Sequence, residues 1–502
     1  MIWVLAAVSV GCAMLAALRW LRVAQREHYL GGVTRFARLW WTVDGRNVSL
    51  LALGILGVLL AWFVPLVGLM TGVVGVIGPV GLGLRGRTSD LVWTNRMRRL
   101  AVLVGLTAVS IVVVGAVTEL ALLVVAVPLV IPLLIDLSLS IVAPYERRQG
   151  NRWVEQAAAA LQRVGPTVVA ITGSYGKTST KNVIAHLLGG VRSVMASPAS
   201  FNNRMGLARS INEQLAAGTE VFIAEMGTYG PGEIRDLCRW ITPDVAVITA
   251  LGPVHLERMG TIERIAQAKS EILEDAPVAV VAIDHPLLAE IASRESSLRR
   301  VITVSAESNP ADVTVSGEGA VTVRGANLGS FPVDRAHPVN VACAVGVFLA
   351  LDLDPTRVAD RLGDLPEIPH RRTVGRSERG FDIIDDTFNA NPAGAAAALR
   401  LLAGLGAPGG RKVVVTPGMV ELGGAQQEAN REFGVSAGAV GVTDFIVVNR
   451  TNRDALVVGA REAGISSVIV FDTRDEAVRW VRDNLVEGDA ILYENDLPDH
   501  YP

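Results

Sequence analysis

Lysine is nearly absent from this chain. Only four of its 46 basic residues are lysines, namely Lys177, Lys181, Lys269 and Lys412, and the rest are arginine. So strong a bias leaves lysine where a permanent charge will not serve, because an ammonium can give up its proton and a guanidinium cannot. Cysteine is as scarce: Cys12, Cys238 and Cys343 stand far apart, which excludes a disulfide framework and any cysteine-rich zinc spacing. A reducing cytoplasm suits such a chain. There is no excess of positive charge, since the formal net charge is −3, so no nucleic-acid partner is expected. Charged residues make up only 19% of the chain, half the residues are hydrophobic, and the mean hydropathy is +0.39. These values suit a membrane part joined to a soluble part, and 502 residues suffice for two or three domains.

The apolar residues are concentrated before residue 145. Residues 2–18 are apolar and begin without a basic stretch, so they read as a retained helix rather than a cleaved leader. A longer run, 48–84, is broken near Pro65 and reads as a hairpin of two spans; 100–118 and 120–142 read as a second hairpin turning near Glu119. Five spans are expected in a membrane region covering 1–145. Arg19, Arg22, Arg26, Arg35, Arg38 and Arg46 lie in one connecting segment, Arg85, Arg87, Arg96, Arg98 and Arg99 in the next, and Arg147, Arg148 and Arg152 at the exit. The turns near 65 and 119 have none. The positive-inside rule then expects a multi-pass protein of bacterial cell-membrane type, with the N-terminus outside and everything after 145 in the cytoplasm. Asp136 falls inside the fifth expected span, where an acid is a functional candidate by default and a residue of the cytoplasmic interface on the plainer reading.

From about 166 the pattern changes to apolar β-rich runs alternating with helical stretches: "TVVAIT", "EVFIAEM", "DVAVITAL" and "VAVVAI". This alternation predicts an α/β fold with a parallel sheet covered on both faces. After "IPHRRTV" it starts again with "FDIID", "KVVVTP", "DFIVVN", "SVIVFD" and "DAILYEN". The expected division is a central domain over 150–370 and a Rossmann-like last domain over 371–502.

"ITGSYGKTSTKNVIAHLL", residues 171–188, reads as a strand end, a glycine loop and a helix. It is a short phosphate loop, G-x-x-G-K-T, two residues shorter than the usual form. In such a loop, backbone N–H groups and the helix N-terminus hold phosphates. Gly173 and Gly176 let the backbone turn, Lys177 reaches the β- and γ-phosphates, Thr178 offers a hydroxyl to Mg²⁺, and Ser179 follows in the first turn. "FIAEMG" puts Glu225 at a strand's carboxyl end, where ligands collect in such sheets. "GPVHLERMGTIERIAQAKSEIL" puts His255 after another strand end and Lys269 on the helix beyond. "DIIDDTFNANPAG" ends a strand of the last domain with Asp385, Asp386, Asn389 and Asn391.

With "TGSYGKTSTK", "FNNRMG", "EMG", the His–Lys helix, "HPVN", "DDTFNANP" and "GMVELG" in this order and spacing, residues 150–490 resemble the Mur ligase family, most closely its D-alanyl-D-alanine-adding branch. The resemblance implies an ATP-dependent acid–amino-acid ligase of peptidoglycan or other cell-envelope precursor synthesis. ATP converts a carboxylate into an acyl phosphate, an amine displaces phosphate, and an amide forms. It implies that Thr178 and Glu225 hold one Mg²⁺ and that His255 helps hold a second. It implies a carbamylated Lys269, which also acts as a metal ligand, and Lys177 among the catalytic residues. Asn202 and Asn203 would meet ATP and the reacting carboxylate, with Asn203 as the catalytic candidate. Asn340 would face the adenine, while Asp386, Asn389 and either Arg371 or Arg372 close over the nucleotide. The chemistry agrees, since joining phosphate to carboxylate brings two anions together and calls for fixed cations and donors.

The chain departs from that family in two ways. No room remains for a domain binding a UDP-sugar, so a lipid-linked muropeptide at the cytoplasmic face is the expected carboxylate acceptor, with a separate amine donor. The end "ILYENDLPDHYP" also carries Glu494, Asp496 and Asp499 where the family tends to be basic. This is either a surface attractive to an ammonium or a solvated tail. Three alternatives compete with this reading. An amidating relative would carry a four-cysteine zinc ribbon, which three scattered cysteines cannot build. A P-loop-driven transporter would need a signature loop and an Asp-Glu strand end. A non-catalytic scaffold is disfavoured by the intact Lys177, Thr178, Glu225, His255 and Lys269.

Overall fold

In the computed structural model, residues 85–89, 199–200, 308, 334, 367–372, 388–390 and 498–499 lie outside the described residues. The apolar N-terminal third folds as six helices: α1 (Ile2–Arg26), α2 (Val33–Thr42), α3 (Gly45–Leu60), α4 (Leu69–Ile77), α5 (Asn95–Val117) and α6 (Ala121–Val164). Among the described residues, three of them, α1, α5 and α6, are long and apolar enough to cross a membrane. That is fewer than the five spans expected. The difference lies in the 48–84 run, whose apolar content would fill two spans but whose helices are short. Helix α3 has 16 residues and stops before Pro65, and α4 has nine. At 1.5 Å per residue neither covers the roughly 30 Å of a bilayer core. The two lie close together, since a Cβ on Gly57 would come within 2.5 Å of the Thr71 hydroxyl. Helices α2 and α3 meet at a 112° bend, where Asp44 caps α3 by accepting from the Asn47 N–H at 2.8 Å.

Asp136 has a structural role. From α6 it accepts the N–H groups of Val33 and Thr34, both at 2.9 Å, and the Thr34 hydroxyl at 2.7 Å. Helix α2 begins after Gly32, which has no side chain to cap it. The acid supplies that cap from a neighbouring helix and sits where the helix dipole favours a negative charge.

Helix α6 has 44 residues and crosses the 145 boundary without a break. Its first half packs against α1, α4 and α5, while Val154, Ala157 and Leu161 near its end belong to the core of the next domain.

That domain is a nine-stranded sheet. Strands β1 (Thr167–Thr172), β2 (Val194–Ala196), β3 (Val221–Glu225), β4 (Val245–Ile248), β5 (Val278–Ala282), β6 (Arg300–Ser305), β7 (Val313–Val315), β8 (Ala320–Val323) and β9 (Ala326–Ser330) lie in the order β2-β3-β1-β4-β5-β6-β7-β8-β9. Pairing is parallel from β2 through β7 and antiparallel beyond. Helices α7 (Lys177–Leu188), α8 (Arg204–Gln214), α9 (Glu233–Cys238), α10 (Leu256–Met259), α11 (Ile262–Ser270), α12 (Pro286–Glu295) and α13 (Pro338–Ala350) connect and cover it. With both faces covered, the central strands are apolar almost throughout, as "TVVAIT" shows. Register aligns Ile171 with Glu225 and Thr172 with Ile248. The phosphate loop, Glu225 and the 249–255 loop therefore leave the sheet at one edge.

The last domain has six strands: β10 (Thr373–Arg376), β11 (Asp382–Asp386), β12 (Lys412–Thr416), β13 (Asp444–Val448), β14 (Ser467–Phe471) and β15 (Ala490–Glu494), in the order β10-β11-β15-β12-β13-β14. All but the β10–β11 pair are parallel. Leu497 and Tyr501, beyond β15, leave this domain and join the hydrophobic core of α1, α2, α5 and α6.

Candidate active site

The phosphate loop spans 173–176 between β1 and α7. Two contacts require glycine there. A Cβ on Gly173 would sit 2.0 Å from Thr249 Oγ1, and one on Gly176, at φ +77°, would sit 2.4 Å from Asn340 Oδ1. Lys177 folds back over the loop and donates to the Gly173 carbonyl at 2.8 Å. Helix α7 starts here with its N–H groups directed at the loop, which suits phosphate oxygens.

Glu225 is the hub of the edge. It is 1% exposed. Its Oε2 accepts from the Thr178 hydroxyl at 2.9 Å and pairs with Lys181 Nζ at 2.9 Å; its Oε1 accepts from Asn202 Nδ2 at 3.2 Å. Thr178 and Glu225 form a hard oxygen-donor pair beside a phosphate cradle, which fits Mg²⁺ completed by phosphate oxygens and water. Among the described residues no group of three His, Cys, Asp or Glu is gathered, so a metal here depends on its nucleotide for ligands. Lys181, counted in the sequence but given no role, supplies the positive charge at Glu225.

Of the two neighbouring asparagines, Asn202 reaches Glu225. Asn203 caps α8 by accepting from the Gly206 N–H at 3.0 Å, so its carbonyl is turned to its own helix. Asn340 is buried behind the loop, where its carbonyl oxygen accepts from the Thr180 hydroxyl at 3.2 Å. Ser179 is buried in the first turn of α7. Asp386 ends β11, and Asn389, Arg371 and Arg372 lie outside the described residues.

Lys269, on α11, is 4% exposed. Burial, reinforced by the charge of Lys177, holds its amine well below the usual lysine range. A neutral, nucleophilic amine is thus favoured beside the phosphate loop.

His255 stands at φ +57° and N-caps the short helix α10. Its Nδ1 lies 2.5 Å from Glu421 Oε2 of the last domain, and Glu421 is also left-handed at φ +65°. Two residues in this sparsely populated conformation facing each other across a domain boundary fit a functional contact. The Tyr229 ring packs edge-on against His255 at 4.8 Å. Burial pushes the Glu421 carboxyl up, but the His255 contact and the charges of Arg258 and Arg35 outweigh it and hold the group below its usual range. "GMVELG" was visible in the sequence, but the partner of Glu421 is 166 residues away, and no local spacing marks it.

The tail after β15 is not a free acidic surface. Glu494 is buried and Asp496 is ion-paired with Arg474, while Asp499 lies outside the described residues. A depression of about 430 Å³ lined by Thr167, Arg192, Glu220 and Leu351 opens at the opposite edge of the sheet, away from all these residues.

Residues 171–340 match the Mur ligase middle domain, and 370–493 match the Mur ligase glutamate ligase domain. The UDP-N-acetylmuramoyl-tripeptide–D-alanyl-D-alanine ligase of Bacillus subtilis is 30% identical over 344 residues, covering 67% of this chain and 75% of the relative. The ligase of the same name from Synechocystis is 31% identical, covering 67% and 73%. A crystal structure of MurF ligase from Thermotoga maritima in complex with ADP superposes with a TM-score of 0.58 at 27% identity, covering 69% of this chain and 80% of that one. MurF from Acinetobacter baumannii, at 22% identity and a TM-score of 0.59, covers 69% and 77% and shares the fold. With both family domains matched in order and these relatives matched over two thirds of the chain, the chain belongs to the Mur ligase family, as an ATP-dependent ligase that forms carbon–nitrogen bonds.

Proposed function

We propose that this ligase is anchored in a bacterial-type cell membrane and joins an amine to the carboxylate of an acceptor held at the cytoplasmic face, a lipid-linked muropeptide. The observation that supports this reading is where the membrane-type helices end. Glu27, directly after α1, pairs with Arg258, three residues from His255. Helix α6 runs on to α8, where Asn151 accepts from Arg204 at 2.9 Å and the Trp153 carbonyl accepts from Asn212 at 2.9 Å. The catalytic edge is thus framed by continuations of the apolar helices. Arginines 19–46, 96–99 and 147–152 put the N-terminus outside and the catalytic domains in the cytoplasm. Counting α1, α5 and α6 as the spans, an odd number keeps that orientation.

Bound ATP supplies the phosphoryl group, and Mg²⁺ neutralises charge as it moves. Lys177 leaves Gly173 for the phosphate oxygens. Thr178 and Glu225 would offer their oxygens to one metal ion, and His255 and a carbamylated Lys269 would help hold a second. The neutral Lys269 amine would attack CO₂, forming a C–N bond and releasing one proton, so that an uncharged amine becomes an anionic carbamate. Asn202, whose amide reaches Glu225, is better set to meet the reacting carboxylate than Asn203, which caps α8. Asn340 accepts from Thr180 behind the loop and would face the adenine. The last domain closes with Asp386, Asn389 and Arg371 or Arg372, excluding water from an acyl phosphate that would hydrolyse. D-alanyl-D-alanine, the amine in the relatives' name, is the first donor to offer.

The test is phosphate release by the full chain in detergent with ATP and Mg²⁺, offering UDP-muramoyl peptides and then lipid-linked ones with candidate amines. A product heavier than a lipid-linked acceptor by the amine minus water supports the reading. Turnover on the soluble nucleotide acceptor alone refutes its lipid-linked part.

A further inference from the structure

We propose that Glu27 is a positioning residue that holds the last domain closed against the catalytic edge. Its carboxylate is 7% exposed and has partners from three modules at once. Oε2 accepts from Arg258 NH2 of the central domain at 2.5 Å, Oε1 meets His500 Nε2 of the last domain at 2.8 Å, and Arg35 NH2 of the membrane module lies 3.7 Å away. Burial pushes the carboxyl up, but His500, Arg258 and Arg35 outweigh it and keep the group below its usual range. Each partner is itself fixed. Trp40 Nε1 donates to the His500 carbonyl at 2.9 Å, Phe36 packs edge-on against His500 and Tyr501 at 4.7 and 5.2 Å, and Arg35 also pairs with Glu257 at 2.6 Å.

The tie leads directly to the chemistry. Arg258 sits on α10, the helix that His255 caps, and His255 meets Glu421 of the last domain. The 255–258 segment is therefore held from both sides, by Glu421 and by Glu27. Without the Glu27 carboxylate, Arg258 and His500 would each lose their hydrogen-bond partner in a buried junction, which favours separation. A second contact between the same modules, Arg450 with Asp44 at 2.5 Å, is independent of Glu27. Membrane module and last domain are thus linked beside the His255 segment, and closure is set partly by the end of an N-terminal helix. The inference uses the ligase site; it does not depend on which acceptor is used.

The experiment compares wild type, Glu27→Gln, Glu27→Ala and His500→Ala as full chains in detergent. Backbone hydrogen exchange and ADP affinity are read without acceptor, and kcat and KM for ATP with whichever acceptor the wild type uses. Glu27→Ala should speed exchange across 418–422 and 495–502 and lower kcat about tenfold, with KM for ATP within about twofold, since the phosphate loop is untouched. Glu27→Gln, which keeps an acceptor atom but not the charge, should fall between. His500→Ala should reproduce the effect and combine with Glu27→Ala less than additively. Wild-type exchange at 418–422 in either alanine variant, or kcat within twofold in a variant that still binds ADP normally, would overturn the proposal. If no acceptor supports wild-type turnover, the substrate reading fails while the exchange comparison still decides this one.

Discussion

The Lys181 ammonium lies 2.9 Å from Glu225 Oε2, with both side chains buried, on the oxygen that also accepts from Thr178. A cation from the chain itself therefore sits at the carboxylate proposed to bind the metal. Lys181→Met keeps most of the volume and leaves Glu225 a buried charge. Breaking such a pair from one side costs about 3–5 kcal/mol, so the ligand-free protein should melt markedly lower. Mg²⁺ with ADP should recover much of the loss, because the ion then neutralises Glu225. Equal melting of wild type and variant without ligand would show the pair to be dispensable.

Thr178→Val removes the hydroxyl and keeps the shape. A magnesium titration of phosphate release should then need a higher concentration for half-maximal rate, with maximal turnover down by about 10²-fold, the size seen when one pre-set electrostatic group is lost. Thr178→Ser should restore most of it. An unaltered magnesium dependence in the valine variant would remove Thr178 from the metal site.

Lys269 gives a pH-dependent prediction. Its folded-state pKa is depressed from 10.5, so between that depressed value and 10.5 the unfolded chain binds one more proton than the folded one. Stability from this group is therefore full above 10.5, is lost as pH falls through that window, and levels off below the depressed value. Carbamylation removes the titrating amine, so the slope should flatten when bicarbonate is added. Activity should fall in bicarbonate-free buffer and return on its addition, and Lys269→Arg should be inactive under both conditions. Bicarbonate-independent activity in the wild type would exclude the carbamate.

Asp136→Asn should weaken the start of α2 by about 1 kcal/mol, typical of a damaged cap, since it loses the charge but keeps an acceptor. Neither kcat nor KM for ATP should change by more than about twofold in protein that remains folded. A large catalytic loss would restore the functional reading of this acid.

Most of the catalytic architecture was legible because fully buried parallel strands are continuous apolar runs. "TVVAIT", "EVFIAEM", "DVAVITAL" and "VAVVAI" became β1, β3, β4 and β5, and the five runs after residue 380 became β11 to β15. Short or partly exposed strands such as β2, β9 and β10 carried no such signal. At 48–84 hydropathy expects two spans because it counts apolar residues and not helix ends, whereas the break before Pro65 leaves two shorter helices. Within the candidate site, local motifs marked Lys177, Thr178 and Glu225, which the fold brings to one sheet edge, together with His255 and Lys269. They did not separate Asn202 from Asn203, a choice made by where α8 begins. The Glu421–His255 and Glu27–His500 contacts bridge 166 and 473 residues, so only the folded chain brings them together.

The unbroken course of α6 has a consequence for reach. Its 44 residues amount to about 66 Å of helix, of which a bilayer core takes about 30 Å. The remainder is a stiff shaft whose far end is built into the sheet that carries the phosphate loop. On the proposed membrane-anchored reading, the catalytic edge stands at a set height above the lipid instead of roaming on a flexible tether, and a lipid-linked acceptor would have to bring its carboxylate to that level.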